Sequence, residues 1–214
     1  MARDSLLKVI VALKKDLDNI EQLALAAEQW TSVRFPPGVP KFAPAHREII
    51  IKIVFLQTFI SWEEFLDESF TLYLLGKRPP KGKCPRRLHN PTRRKDAIRL
   101  IIGDRNYADW TRTDILIDRA KKYFRGGEPY KSALGSYQNV LADMNTIRNA
   151  IAHSSTHSKN QFKALVRRKL GTYPPNLSVA KFLAMTMPSS SPTKSFLQFY
   201  LENIHIAADT IVPN

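Results

Sequence analysis

Apolar residues recur along this chain at the three- and four-residue steps of helices, and the pattern is weakest between Tyr173 and Met187, the region from which any strand would have to come. Leu6, Ile10, Leu13, Leu17, Ile20, Ala24 and Ala27 alternate four- and three-residue steps, which predicts one long amphipathic helix from a cap at Asp4 or Ser5 to about Trp30. A seam of that length packs against another long helix or a partner copy. The run Arg34-Phe35-Pro36-Pro37-Gly38-Val39-Pro40 ends the helix and makes a hinge, because its prolines and glycine cannot continue it.

A second helix is predicted from Pro44, a favoured first-turn residue, to Leu75, with Gly76 as its C-cap. Ile50, Ile51, Val54, Phe55, Phe59, Trp62, Phe65, Leu66, Phe70 and Tyr73 leave its first half little polar face, so it belongs at the centre of a bundle. Glu63, Glu64, Asp67 and Glu68 break that pattern and read as a solvated strip or as ion pairs with nearby basic segments. Asn90-Pro91 opens a short helix ending at Gly103, and Thr113 opens another closing at Gly126-Gly127. Their inner faces are Ile98, Ile101 and Ile102, then Ile115, Ile117, Ala120 and Phe124.

Val140, Leu141, Met144, Ile147 and Ile151 form the apolar stripe of a helix from about Ser136 to His153. Ser158-x-x-Gln161 is a capping-box pattern leading into a helix that stops at Gly171, and a last helix, capped near Thr193, runs through Phe196 to Ile211. The expected fold is an all-α bundle of long antiparallel helices with short accessory ones, the Pro44 helix central and the Ser136 helix packed on it. It forms a single domain over 1–214, with residues 1–34 as the N-terminal helix and 77–95 as a loop.

Composition narrows the partner. Lys and Arg total 33 against 19 Asp and Glu, a formal net charge of +14 that favours a polyanion, nucleic acid above all. The charge concentrates in Lys77, Arg78, Lys81, Lys83, Arg86, Arg87, Arg93, Arg94 and Lys95, a stretch without a single acid. Pro79, Pro80, Gly82, Pro85 and Pro91 keep it irregular, so it reads as a flexible arm that contacts RNA phosphates. Without interleaved aromatics it should grip backbone and leave bases unread. A lone Cys84 excludes an internal disulfide and suits a reducing cytoplasm, where it is an inert surface thiol. Asp4 near the start opposes a signal peptide, and the most apolar run, Ile49 to Ile60, is too short to span a bilayer. A cytoplasmic protein without a membrane partner is expected.

The candidate chemistry lies in Arg148-Asn149-Ala150-Ile151-Ala152-His153, where a permanent cation and an imidazole end one amphipathic helix. Asn149 and His153, four apart, share a face, whereas Arg148 points about 140° from His153 at ~100° per residue. The three meet at one substrate only if the helix end frays or a second subunit contributes. The plainest alternative is that His153 merely caps the helix and interacts with its dipole. His153-x-x-x-His157 lacks a third zinc ligand, and Ser154 and Ser155 lack a positioned base or an oxyanion pattern. No Gly-rich phosphate loop occurs, and no cofactor is implied.

Arg148-Asn149-x-x-x-His153, with Ala152 in place, resembles the R-x4-6-H motif of the HEPN superfamily, in particular its RNase-like members. Ser61-Trp62-Glu63-Glu64-Phe65 is similar to the W-E-x-F/Y signature of RiboL-PSP-type HEPN domains. The likeness spans residues 44 to 212, although outside these two motifs it rests on helices of suitable length. It implies a metal-independent endoribonuclease, a toxin or anti-phage defence effector, whose Arg148, Asn149 and His153 form one composite cleft across a homodimer. Glu63 would orient Arg148 or His153. The partners implied are RNA, a second copy and an antitoxin or defence-system protein. The alternative is a non-catalytic HEPN-like module that binds RNA or a nucleotide.

Overall fold

The computed structural model describes residues 4–30, 33, 37, 42–103, 107–188 and 192–214. About 70% of the chain is helical, and the described residues form nine α-helices and no strand. These are α1 (Leu6–Trp30), α2 (Pro44–Leu74), α3 (Arg94–Ile102), α4 (Thr113–Tyr123), α5 (Tyr130–Ser136), α6 (Gln138–Ala152), α7 (Thr156–Leu170), α8 (Val179–Ala184) and α9 (Phe196–Ile211). The all-α expectation holds. Of the hinge placed at Arg34 to Pro40, all but Pro37 lies outside the described residues.

Ser5 is the cap of α1, its Oγ accepting the Lys8 backbone N–H at 3.3 Å. Every residue of the heptad seam, from Leu6 to Ala27, is buried within the chain itself. The seam therefore has no apolar surface to offer a partner copy, which removes one of its two expected uses. Helix α2 ends as expected: Gly76 N–H bonds Tyr73 O at 2.9 Å and Lys77 N–H bonds Leu72 O at 3.0 Å, a Schellman closure that needs the positive φ of 79° at Gly76. Its first half is not buried all round, since Ile49, Ile53 and Ile60 are exposed.

The chain forms two compact units whose division falls inside α1, α2, α6 and α9. Unit 1 comprises Met1–Lys15, Ile60–Ala142 and Asn203–Asn214. Phe70 organises its core, with ring centroids of Phe124, Tyr130, Trp110 and Tyr123 at 4.9, 5.0, 5.5 and 6.0 Å. Tyr73 meets Phe124 and Tyr130 edge-on at 6.5 and 6.3 Å, and its hydroxyl donates to Ile211 O at 2.6 Å while Tyr130 and Ser69 share a hydrogen bond of 2.9 Å. Burial raises both phenols above the ordinary tyrosine range.

Unit 2 comprises Asp16–Phe59 and Asp143–Glu202. Phe182 stacks on Phe196 at 4.3 Å and meets Phe162 edge-on at 5.7 Å, which fixes α7, α8 and α9 against one another. Helix α9 is capped by Ser195 rather than Thr193: Ser195 Oγ accepts Gln198 N–H, and the Gln198 side chain accepts Ser195 N–H in return. Between Tyr173 and Met187 the only ladder-like feature is an isolated bridge of Thr186 with Ser195.

Two other starts differ from expectation. Helix α3 begins at Arg94, not Asn90-Pro91, with Arg93 as a cap that makes no side-chain bond. Helix α7 is capped by Ser155, whose Oγ accepts Ser158 N–H at 3.2 Å, while Ser158 is buried one turn inside. On α4 it is Leu116, not Ile115 or Ile117, that is fully buried.

Candidate functional site

Helix α6 carries the motif. Leu141, Met144 and Ile147 are buried, which fixes the helix's rotation and leaves Arg148 and Asn149 half-buried with Ala152 and His153 exposed. His153 N–H still bonds Asn149 O at 2.9 Å, so the last helical turn is closed beneath the imidazole and the end is not frayed. Arg148 folds toward its neighbour, one guanidinium N–H donating to Asn149 Oδ1 at 3.1 Å. Asn149 sits one turn before His153 on the same face, and it is this bond that draws the guanidinium toward that face. Only His153, Ser154 and Ser155 connect α6 to α7, and all are exposed. Ser155 Oγ accepts Ser158 N–H and donates to Ser158 Oγ at 3.0 Å, a capping role that occupies the hydroxyl.

Glu63 is half-buried on α2 in unit 1, whereas Arg148, Asn149 and His153 belong to unit 2. Its neighbour Glu68 is in an ion pair with Arg94, so the ion-pair reading of the acidic strip holds there. Asp67 Oδ1 accepts the Trp110 indole N–H at 3.2 Å, and burial pushes its carboxyl above the ordinary aspartate range against the pull of that bond.

The basic stretch is tethered. Lys81 N–H bonds Pro213 O at 3.0 Å, Leu88 N–H bonds Tyr123 O at 2.8 Å, and Arg125 N–H bonds Arg86 O at 2.8 Å. These bonds replace the flexible arm with a loop strapped to unit 1. Arg87 is drawn inward, donating to Leu74 O at 3.0 Å with its guanidinium 2.8 Å from the position a Cβ on Gly76 would take. Arg94 and Lys95 belong to α3, and Arg94 is held by Glu68. Lys77, Arg78, Lys81, Lys83, Arg86, Arg93 and Lys95 remain exposed. Cys84 is half-buried, its thiol 3.5 Å from Lys77 O, rather than a surface group.

One residue in unit 2 escaped the sequence. Asp143 is buried on α6, with an ion pair to Arg168 and a second to Lys169 at 2.7 Å, both from the last turn of α7. The nearby Tyr200 hydroxyl is buried without a hydrogen-bond partner, and burial together with the Asp143 charge raises its phenol above the usual range. The signal was available: Asp143 stands three residues after Val140 and four before Ile147, inside an apolar stripe of a basic chain.

Among the described residues no group of three or more His, Cys, Asp or Glu is arranged to hold a metal ion. No described helix is long and apolar enough to cross a membrane. The protein is thus an all-α chain whose α6 ends in a half-buried Arg148–Asn149 pair one turn before an exposed His153. No family model, curated protein or solved structure matches it.

Proposed function

We propose that this chain is a metal-independent endoribonuclease, acting as a toxin or anti-phage effector, whose chemistry is carried by Arg148 and His153. The observation that carries the reading is the Arg148–Asn149 hydrogen bond of 3.1 Å one turn before an exposed imidazole. RNA cleavage by its own 2′-hydroxyl needs a base for that proton, an acid for the leaving 5′-oxygen and a cation beside the pentacoordinate phosphate. Imidazole titrates near neutrality and suits either proton transfer. A guanidinium held by Asn149 presents fixed N–H donors to the phosphate oxygens without reorganising, which is how a preorganised cation lowers a barrier.

One imidazole cannot be base and acid in the same step. The proposal therefore includes a homodimer in which two α6 ends face one cleft, one copy's His153 taking the 2′-OH proton and the other's protonating the 5′-oxygen. The products are a 2′,3′-cyclic phosphate and a 5′-hydroxyl. An antitoxin or defence protein is the proposed regulatory partner. The test is incubation of purified protein with total RNA in EDTA, with the ends mapped. The proposal expects cyclic-phosphate ends that His153→Ala abolishes while RNA binding persists. Cleavage that requires a divalent ion, or that survives His153→Ala, refutes it, as does a monomer that still cleaves.

A further inference from the structure

Helix α7 carries Lys159, Lys163, Arg167, Arg168 and Lys169 and no acidic residue. Two of these have an internal purpose: Arg168 and Lys169 close on the buried Asp143 and pin the end of α7 to α6. The other three do not. Lys159, Lys163 and Arg167 recur every four residues on the exposed face, with exposed Thr156 and Asn160 alongside, and no ion pair to a described acid holds any of them. Among the described residues Lys163 meets the Tyr173 ring, at 5.9 Å.

Helix stability does not account for this arrangement. Like charges four residues apart on a helix repel. The first turn, where the macrodipole favours a carboxylate, contains no acid, and Lys159 follows directly after it. A row of cations spaced by about one turn, ~6 Å along the axis, matches what is needed to follow the phosphates of one strand. The row starts close to the motif, since Thr156 follows His153 after only Ser154 and Ser155 and both lie in unit 2.

We infer that the exposed face of α7 is a backbone-binding surface for single-stranded RNA, with Lys159, Lys163 and Arg167 on successive phosphates and the strand led toward His153. This rests on RNA being the partner in the function proposed above, and it shifts the grip on the strand near His153 from the 77–95 loop to a helix beside it. Thr156 and Asn160 add hydrogen bonds to sugar or phosphate oxygens, and the row lacks the aromatic faces that would read bases.

The experiment measures binding of a short labelled 2′-O-methyl RNA, which cannot be cleaved by its own 2′-oxygen, across a range of salt concentrations. The variant Lys159→Gln/Lys163→Gln/Arg167→Gln should flatten the salt dependence by about two slope units, three contacts at roughly 0.7 each, and weaken low-salt binding on the order of tenfold or more. Lys163→Arg should bind as the wild type does. On the unmodified protein, RNA should shield Lys159 and Lys163 from acetylation while exposed Lys15 stays reactive, a readout that needs no variant to fold. An unchanged slope with unshielded lysines overturns the inference, and so does binding of phosphatidylglycerol vesicles in place of RNA. Cleavage that persists with an unchanged slope removes this surface and leaves the nuclease; shielding without any cleavage removes the nuclease and leaves the surface.

Discussion

The 77–95 loop and helix α7 are both strongly basic, yet their charges are used differently. The loop has nine cations and no acid of its own; Glu68 and Leu74 O, both on α2, draw Arg94 and Arg87 inward, and backbone bonds to Tyr123, Arg125 and Pro213 strap the rest. Helix α7 has five cations, and the single buried Asp143 takes two neighbours, leaving three on one outward face. A count of Lys and Arg therefore overstates the charge offered to a partner. What decides it is where the few acids and free carbonyls sit.

Removing the acid that sorts the charges of α7 should have the largest effect on stability. Asp143→Ala leaves Arg168 and Lys169 without their partner; Arg168 reaches water, so the loss is about 2–3 kcal/mol rather than the ~3–5 of a fully buried pair. Denaturant unfolding measures it, and a change under ~0.5 kcal/mol would mean that the pair does not hold α7. Arg87→Ala should cost less, about 1–2 kcal/mol for one charge-assisted bond to the Leu74 carbonyl. The same substitution should change RNA affinity less than Arg86→Ala does. The reverse order, read by titration at low salt, would return Arg87 to the phosphate-contacting set.

The smallest effect concerns Asp67, beside the carboxylate that holds Arg94. Its carboxyl is raised by burial above the ordinary 3.8, so the folded state binds the proton more tightly than the unfolded chain. That contribution is fully present below the unfolded value and is lost as pH rises through the folded one. Asp67→Asn keeps an acceptor for Trp110, so it should be more stable than wild type at neutral pH, with the gap closing as pH falls toward the unfolded value. Thermal melts over that range check it; a gap that widens on acidification would show that the carboxylate is stabilising.

Much of the fold was legible because long helices leave a periodic trace. The seam from Leu6 to Ala27 is buried throughout, and Pro44 and Gly76 mark the ends of α2 as their backbone chemistry requires. Short elements were not legible. Helix α5 has no amphipathic run to reveal it, and its burial of Tyr130, Ala133 and Leu134 follows from the Phe70 cluster rather than from local pattern. Asn90-Pro91 has the residue types of a helix start, but α3 begins at Arg94, where the Glu68 ion pair forms. At the candidate site, the shared face of Asn149 and His153 follows from spacing alone. The turn of Arg148 toward Asn149 does not, because a long side chain can choose among several partners.

The placement of the chemistry is tested most directly by single-turnover cleavage in EDTA against RNA concentration, comparing Arg148→Ala with the loop variant Arg86→Gln/Arg93→Gln. Arg148→Ala should lower the saturated rate about 10²-fold or more, the loss expected when one preorganised transition-state donor is removed, with helicity unchanged. Arg148→Lys should also be impaired, because the planar fork is lost. The loop variant should need more RNA to saturate and then turn over at the wild-type rate. If Arg148→Ala keeps its saturated rate while the loop variant loses it, the chemistry does not lie at Arg148 and His153.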